Sequence, residues 1–337
     1  MVFILLMSLV FPVKIFSILT RNLIVYNKIR IILLFAFLVT TAYSQSKPEI
    51  VCHYVDTTRV ERDMAKITQT QNSRNYLNIE TLNYVADYIK AELTKVCDST
   101  AYQNYDVGKR TYKNVIGSIG IKNEERIIIG AHYDVYGNQP GADDNASGIA
   151  GLLELARLLA KEKLNYRLDF VAYTLEEPPF FRTEQMGSYI HAKYLQDNQI
   201  PVKGMVCLEA IGFFSNKPNS QMYPIKEMNM LYGDKGDFIT IVQSGKSGAF
   251  GKEFERLMKT SNLIKTNSFI GSSALPGIDF SDHLNYWKFD YEALMITDTA
   301  FYRNKNYHTS NDRLETIDFK KMNLVIEQLY LAIKEIK

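Results

Sequence analysis

Residues 47–337 predict an α/β fold: a single domain with a mostly parallel central mixed sheet and helices on both faces. Three observations predict it. Segments with helical apolar spacing alternate with short β-branched runs. One of those runs, ERIIIGAHYDVY at 125–136, has the composition of a buried strand. No Pro/Gly/Ser-rich linker, repeat or low-complexity tract breaks the chain after residue 47.

In order, helical spacing covers 59–70 and 79–97, the latter through Leu82, Val85, Ala86, Ile89 and Leu93. Alternating Tyr, Val and Ile predict strands at 101–107 and 112–121, followed by the strand at 125–136. After a Gly/Pro/Asn/Asp loop, ASGIAGLLELARLLAKEK (146–163) predicts a strong helix with Ile149, Leu152, Leu153, Ala156 and Leu159 on one face. A strand at 167–175, a helix near 184–196 and a strand at 203–211 come next. A mixed stretch leads to a helix near 250–262, a strand near 291–297 and a terminal helix at 318–336. Strands alternating with helices of this length imply parallel pairing, with ligands beyond the carboxyl ends of the strands.

Composition narrows the function classes. Apolar residues make up 46% of the 337, which is material for a large core rather than a disordered chain. Lys plus Arg number 39 against 37 Asp plus Glu, a net charge of +2, and no long basic run lies outside the N-terminal flank. A nucleic-acid backbone has no electrostatic footprint here.

Residues 1–46 are expected to be an export segment. Within it, 25–44 has the parts of a signal peptide: basic NKIR, the apolar IILLFAFLVTTA, and Ala42-Tyr43-Ser44 as a small-x-small cleavage site. The apolar run at 2–20 upstream is read as preceding the true start, with a membrane anchor as the other reading. The mature chain is therefore expected outside the cytoplasm, periplasmic or extracellular, without stable membrane association. Export permits disulfides, so Cys52 and Cys97 are candidates for a pair, and Cys207 reads as a buried thiol. Three scattered cysteines make no zinc cluster; a metal site must come from His and carboxylates.

Such residues sit where the predicted strands end. His132 and Asp134 lie two apart at a strand end, and Asp144, Glu176, Glu177 and Glu209 each lie at or just after one. Imidazole with carboxylate suits zinc, and a shared carboxylate permits two ions about 3.5 to 4 Å apart. Asp134 is placed to accept the free ring N–H of His132. Taken singly these features are ordinary: His-x-Asp as a strand-end pair, GADDNASG (141–148) as an N-cap, and LEEPPFF (175–181) as an acidic turn. An acidic turn, however, does not usually follow YTL and precede four apolar residues.

The ordered series AHYD, GADDNASG, the Glu-Glu pair, LEAIG (208–212), SDH (281–283) and YHTSNDRLETID (307–318) resembles the co-catalytic zinc exopeptidases of peptidase clan MH. These are secreted bacterial and fungal aminopeptidases, related to glutamate carboxypeptidase II and glutaminyl cyclases. The likeness covers about residues 112–320 and implies the zinc-dependent exopeptidase fold. It also implies two zinc ions, one on His132 and Glu209, the other on Glu177 and His308, with Asp144 bridging and Asp143 a neighbour only. It further implies that Glu176 is the general base, that Tyr307 offers a hydroxyl to the oxyanion, that Asp282 and His283 lie near the pocket without ligating, and that the Asp144-Asn145 peptide is cis. His53 and His191 are expected to be surface or structural residues.

Two departures from the family pattern stand out. Glu209 occupies a position where many relatives carry Asp, and Pro-Pro-Phe-Phe follows Glu177 instead of a Gly-containing turn. The pocket walls are expected from 213–280, whose aromatic and apolar content suits an apolar or mixed first residue. The expected activity is removal of the N-terminal residue from peptides by a monomer. One alternative is glutaminyl cyclisation, against which stand the intact His132, the intact Asp144 motif and the lack of a Trp before His308. The other is a non-catalytic relative, which should have lost ligands that are all present here.

Overall fold

A computed structural model describes residues 52–245, 248–272 and 274–337. The expected export segment, with its signal peptide and upstream apolar run, lies outside the described residues. Among the described residues no helix is long and apolar enough to cross a membrane, and Cys52–Lys337 form one compact unit.

The sheet grows from its most apolar strand. In β3 (Arg126–His132), Ile127, Ile129 and Ala131 point to one face and Ile128 to the other, and all are fully buried. Parallel neighbours flank it: β4 (Arg167–Tyr173) on one side and β5 (Val202–Glu209) on the other, with β8 (Ala293–Thr297) parallel beyond β5. An antiparallel hairpin of β1 (Ser99–Val107) and β2 (Arg110–Ile119) extends the β4 edge, turning at Gly108 with φ +61°. On the other edge β6 (Ile239–Ser244) runs antiparallel to β8 and parallel to β7 (Thr266–Gly271). The order is β1-β2-β4-β3-β5-β8-β6-β7.

Helices cover both faces, as the alternation predicts. One face packs on α1 (Thr57–Thr68), α2 (Ile79–Thr94), α3 (Gly148–Leu159), α6 (Ala249–Ser261) and α8 (Phe319–Lys334). The other carries α4 (Gly187–Asp197) and α7 (His283–Lys288). A further short helix, α5 (Met228–Tyr232), lies in the connection before β6.

Four differences from the sequence reading have physical causes. β6 falls in the stretch read as mixed and β7 in the stretch left without an element between the helix near 250–262 and the strand near 291–297, because TNSFIG is half polar and each strand has only six residues. The strand at 125–136 stops at His132, so Asp134 sits in the following loop and strand alternation does not place it. α3 is buried on every side rather than amphipathic, and it is entered through a π-type turn at Ala142–Ser147. Finally, Cys52 and Cys97 do not pair: all three cysteines are free. Cys52 donates to Glu327 of α8 at 2.6 Å, while Cys97 packs under Gly117 of β2.

α3 carries charge into the core, and that charge ties three helices together. Arg157 donates to Asp63 of α1 at 2.6 Å, to Glu92 of α2 at 2.9 Å and to its own-helix neighbour Glu154 at 3.2 Å; Arg59 closes the set on Glu154. Replacing Arg157 by Met strands buried carboxylates and should cost about 3 to 5 kcal/mol. Urea unfolding of the Arg157→Met variant measures this directly, with the site below left in place.

Candidate metal centre

The carboxyl ends of the parallel strands deliver the site. β3 ends on His132 and β5 on Glu209; Glu176 and Glu177 follow β4, Asp144 lies in the loop after β3, and His308 in the loop after β8. Left-handed backbone makes these turns: Leu175 has φ +61°, Ala210 +48° and His308 itself +56°. The Asp144-Asn145 peptide is cis, as the resemblance implies, and so is Pro178-Pro179.

Asp144 sits between two imidazoles. Its Oδ1 lies 3.2 Å from His132 Nε2, and its Oδ2 lies 3.0 Å from His308 Nε2. Each imidazole nitrogen faces a second carboxylate at the same distance: His132 faces Glu209 at 3.2 Å and His308 faces Glu177 at 3.2 Å. Two triads sharing Asp144 result, each with all its donor atoms within 4.8 Å of one another. Glu176 stands a little farther off, 3.8 Å from His132 Nε2.

The donor set fits divalent cations. Both His132 nitrogens, His308 Nε2 and Asp144 Oδ1 are buried without a hydrogen-bond partner, which is costly unless something else binds them. Imidazole plus carboxylate, with one carboxylate shared, is zinc-binding chemistry.

Electrostatics say the same. Burial pushes Glu176 well above the usual carboxylate range; His132 opposes this, while Glu177, Glu209 and Asp282 add to it. Burial and Asp144 bring Glu177 to about 8, against the pull of His308. Asp144 is the exception: burial raises it, but His132 and His308 beside it hold it below the ordinary range. For His308 the sign reverses. Burial lowers it, yet Asp144 and Glu177 lift it to about 10. Four buried carboxylates against two imidazoles call for further positive charge.

A surrounding layer fixes these groups, and sequence reading found little of it. Asp134 sits 3.6 Å from His132 Nδ1, beyond hydrogen-bond reach, so the expected ring N–H bond is not formed. Its oxygens instead accept the backbone N–H groups of Glu176 and Glu177, both at 3.1 Å. Asp312 does the same for the amides of Asp143 and Asp144, at 2.9 and 3.1 Å. Arg74, fully buried, donates to the carbonyls of Tyr133, Pro140 and Gly141. Asp312 lies inside a recognised motif but carried no distinguishing signal, and Arg74 is far upstream of every motif. Ser281 donates to Glu209 at 2.8 Å.

The remaining candidates also find places. Tyr307 stacks on the His308 ring at 3.9 Å and Tyr136 stacks at 4.4 Å, so the imidazole is held between two phenols. Asp143 is a neighbour, accepting from Gly212 and Asn304. Asp282 and His283 are buried beside the site and in neither triad. His191 is a satisfied buried residue bonded to Tyr286 at 2.7 Å, and His53 is exposed. A pocket opens beside Glu209 and Tyr307; part of its wall comes from 221–280, and the rest from β8 and the loop after it.

Comparison with known proteins decides the family, because Peptidase family M28 matches residues 114–332. The chain belongs to that peptidase family. Uncharacterized protein YfbL of Escherichia coli is 43% identical over 277 residues, which is 80% of this chain and 85% of YfbL. Leucine aminopeptidase 1 of Ajellomyces capsulatus is 25% identical over 225 residues, 62% of this chain and 52% of that one. Among solved structures, the LapA aminopeptidase of Legionella pneumophila superposes with TM-score 0.65 at 19% identity, covering 84% of this chain and 71% of LapA. A Bacteroides thetaiotaomicron glutaminyl cyclase also reaches 0.65, at 16% identity over 85% of this chain and 100% of the cyclase. This chain's fold, an eight-stranded mixed sheet between helices, is thus similar to that of proteins of both names.

Two outcomes test the site's construction. Asp134→Ala frees the amides that fix the Glu176-Glu177 turn and should weaken zinc binding or activity about 10- to 100-fold, read by metal titration. Because His308 holds a proton up to about pH 10 in the metal-free chain, zinc must displace it. Apparent zinc affinity should therefore rise with pH from 6 to 8, with proton release measured by calorimetry in buffers of different ionisation enthalpy.

Proposed function

We propose that this protein removes the N-terminal residue of peptides with two zinc ions bound, one by His132, Asp144 and Glu209, the other by Asp144, Glu177 and His308. The observation that carries this reading is the placement of Asp144, one oxygen toward each imidazole. Zinc held there would supply Lewis acidity, polarising the scissile carbonyl and acidifying water.

The chain's own groups do the rest. Glu176 lies 3.8 Å from His132 Nε2, grouped with His132 and Glu177 but outside both triads that share Asp144. Its burial raises its proton affinity, so it takes the proton of the attacking water and passes it to the leaving amine. Burial, with Asp144, Glu177, Glu209 and Glu176 nearby, keeps the Tyr307 hydroxyl protonated far above its ordinary range. It therefore serves as a hydrogen-bond donor to the developing oxyanion. Adjacent Glu177 is tied by the Tyr136 amide at 3.1 Å and by His308, and holds metal rather than shuttling protons. The leucine aminopeptidase relatives support action at the N-terminal residue, and the pocket beside Glu209 gives that residue's side chain room. On this reading the enzyme works as a monomer on peptides after export, with no nucleic-acid or stable membrane partner.

Elemental analysis of the purified chain should find two zinc ions, and amino-acyl nitroanilides should be hydrolysed until chelator is added. Glu176→Gln should lower kcat by about 10² to 10⁴ while zinc stays bound. Asp144→Ala should lose metal and activity together. A metal-free active protein, full activity in Asp144→Ala, or release of ammonia from glutaminyl peptides without peptide-bond cleavage would each overturn the proposal.

A further inference from the structure

The pocket beside Glu209 is apolar around its walls but not on its floor. Met222, Phe269, Ile278, Phe280, Phe301 and Tyr302 supply walls. Its floor is the sheet itself. Glu209, Thr297, Thr240 and Asn267 are successive register partners across β5, β8, β6 and β7. Direct partners present their side chains on the same face, so these four form one row, about 4.8 Å per step, leading away from the metal centre. All four line the pocket.

The polar groups of the row are not equally occupied. Thr297 Oγ1 accepts the Thr299 amide at 2.9 Å. Thr240, 7% exposed, has a buried Oγ1 without a partner, and so is the Asn267 Nδ2 at the next step. An apolar pocket with no use for polarity would carry aliphatic residues there, as β6 does at Val242 on the same face. Buried hydroxyl and amide groups at the far end of an aromatic-walled pocket await a ligand that brings both an apolar body and a hydrogen-bonding tip.

Resting on the aminopeptidase reading above, we propose that Thr240 and Asn267 are specificity-determining residues that select a long first side chain ending in a hydroxyl, tyrosine above phenylalanine. A residue whose carbonyl lies at the metal centre sends its side chain along the row. A short side chain stops over Thr297, where the hydroxyl is already engaged. A tyrosine ring packs between the aromatic walls and brings its phenol over Thr240, within reach of the Asn267 amide. Phenylalanine fills the same space but leaves both groups unpaired, and a site built to bond a hydroxyl discriminates against the analogue lacking it.

The test compares kcat/KM for tyrosyl and phenylalanyl nitroanilides in the zinc-loaded wild type, in Thr240→Val and in Thr240→Ser. The wild type should favour tyrosyl by about tenfold, a single hydrogen bond's worth. Thr240→Val should bring that ratio close to one, and Thr240→Ser, which keeps the hydroxyl, should preserve it. Equal turnover of the two substrates by the wild type overturns the inference while leaving the aminopeptidase reading standing, and so does a ratio unmoved in Thr240→Val. If neither substrate is turned over, that reading fails instead. Calorimetry with tyrosinol and phenylalaninol on the same protein then reads the pocket alone: tighter tyrosinol supports the assignment, equal affinities refute it.

Discussion

A carboxylate that offers one oxygen to each of two imidazoles must be held in a single orientation, and much of the surrounding structure serves that constraint on Asp144. Its amide and that of Asp143 are bound by the Asp312 carboxylate. Asn145, the next residue, ties its side chain to the Leu208 carbonyl and accepts from the amides of Gly148 and Ala210, joining the loop to the end of β5. The same loop is gripped upstream by Arg74 through the carbonyls of Pro140 and Gly141. These are mostly bonds between side chains and backbone, the kind that fixes a loop without regular secondary structure.

The parallel strands supply the other half of that geometry. Strands running side by side end on the same edge, and β3, β4 and β5 deliver His132, the Glu176-Glu177 pair and Glu209 within a few ångströms of one another. Because the partners of β5 continue through β8, β6 and β7, the chemistry and the pocket floor share one rigid surface. Distances from the metal centre to any group on that floor are set by strand spacing rather than by loop conformation.

What could be read from the sequence follows from the range of each interaction. The central strands and long helices were legible because apolar periodicity is local, and the six candidate metal and base residues were legible because each sits in one of the short motifs that carry the resemblance. The resemblance also separated Asp144 from Asp143, and the structure places Asp144, not Asp143, between the imidazoles. β6 and β7 were not legible, being short and half polar. Nor were the left-handed turns at Leu175, Ala210 and His308, since none of these is a glycine or asparagine that would announce such a backbone. The bonds Asp134 makes to the Glu176 and Glu177 amides were not legible for a related reason: they depend on where β3 stops, and apolar pattern defines strand ends poorly. Arg74 and Asp312 act on backbone groups 59 or more residues away, and no spacing rule reaches that far.

The grip of Arg74 also bears on where this fold may be cut. The stretch that matches the family begins at residue 114. Trimming to that boundary would remove Arg74, the β1 strand and the Asp63 and Glu92 partners of Arg157 in one stroke. The candidate metal and base residues would all survive such a cut, but the loop presenting Asp144 would lose its upstream clamp, and α3 behind it would keep a buried arginine with two of its three carboxylate partners gone. The unit that holds this candidate metal centre is accordingly larger than its signature, and the stretch between the first two helices, through Arg74, supports the site as the motifs do.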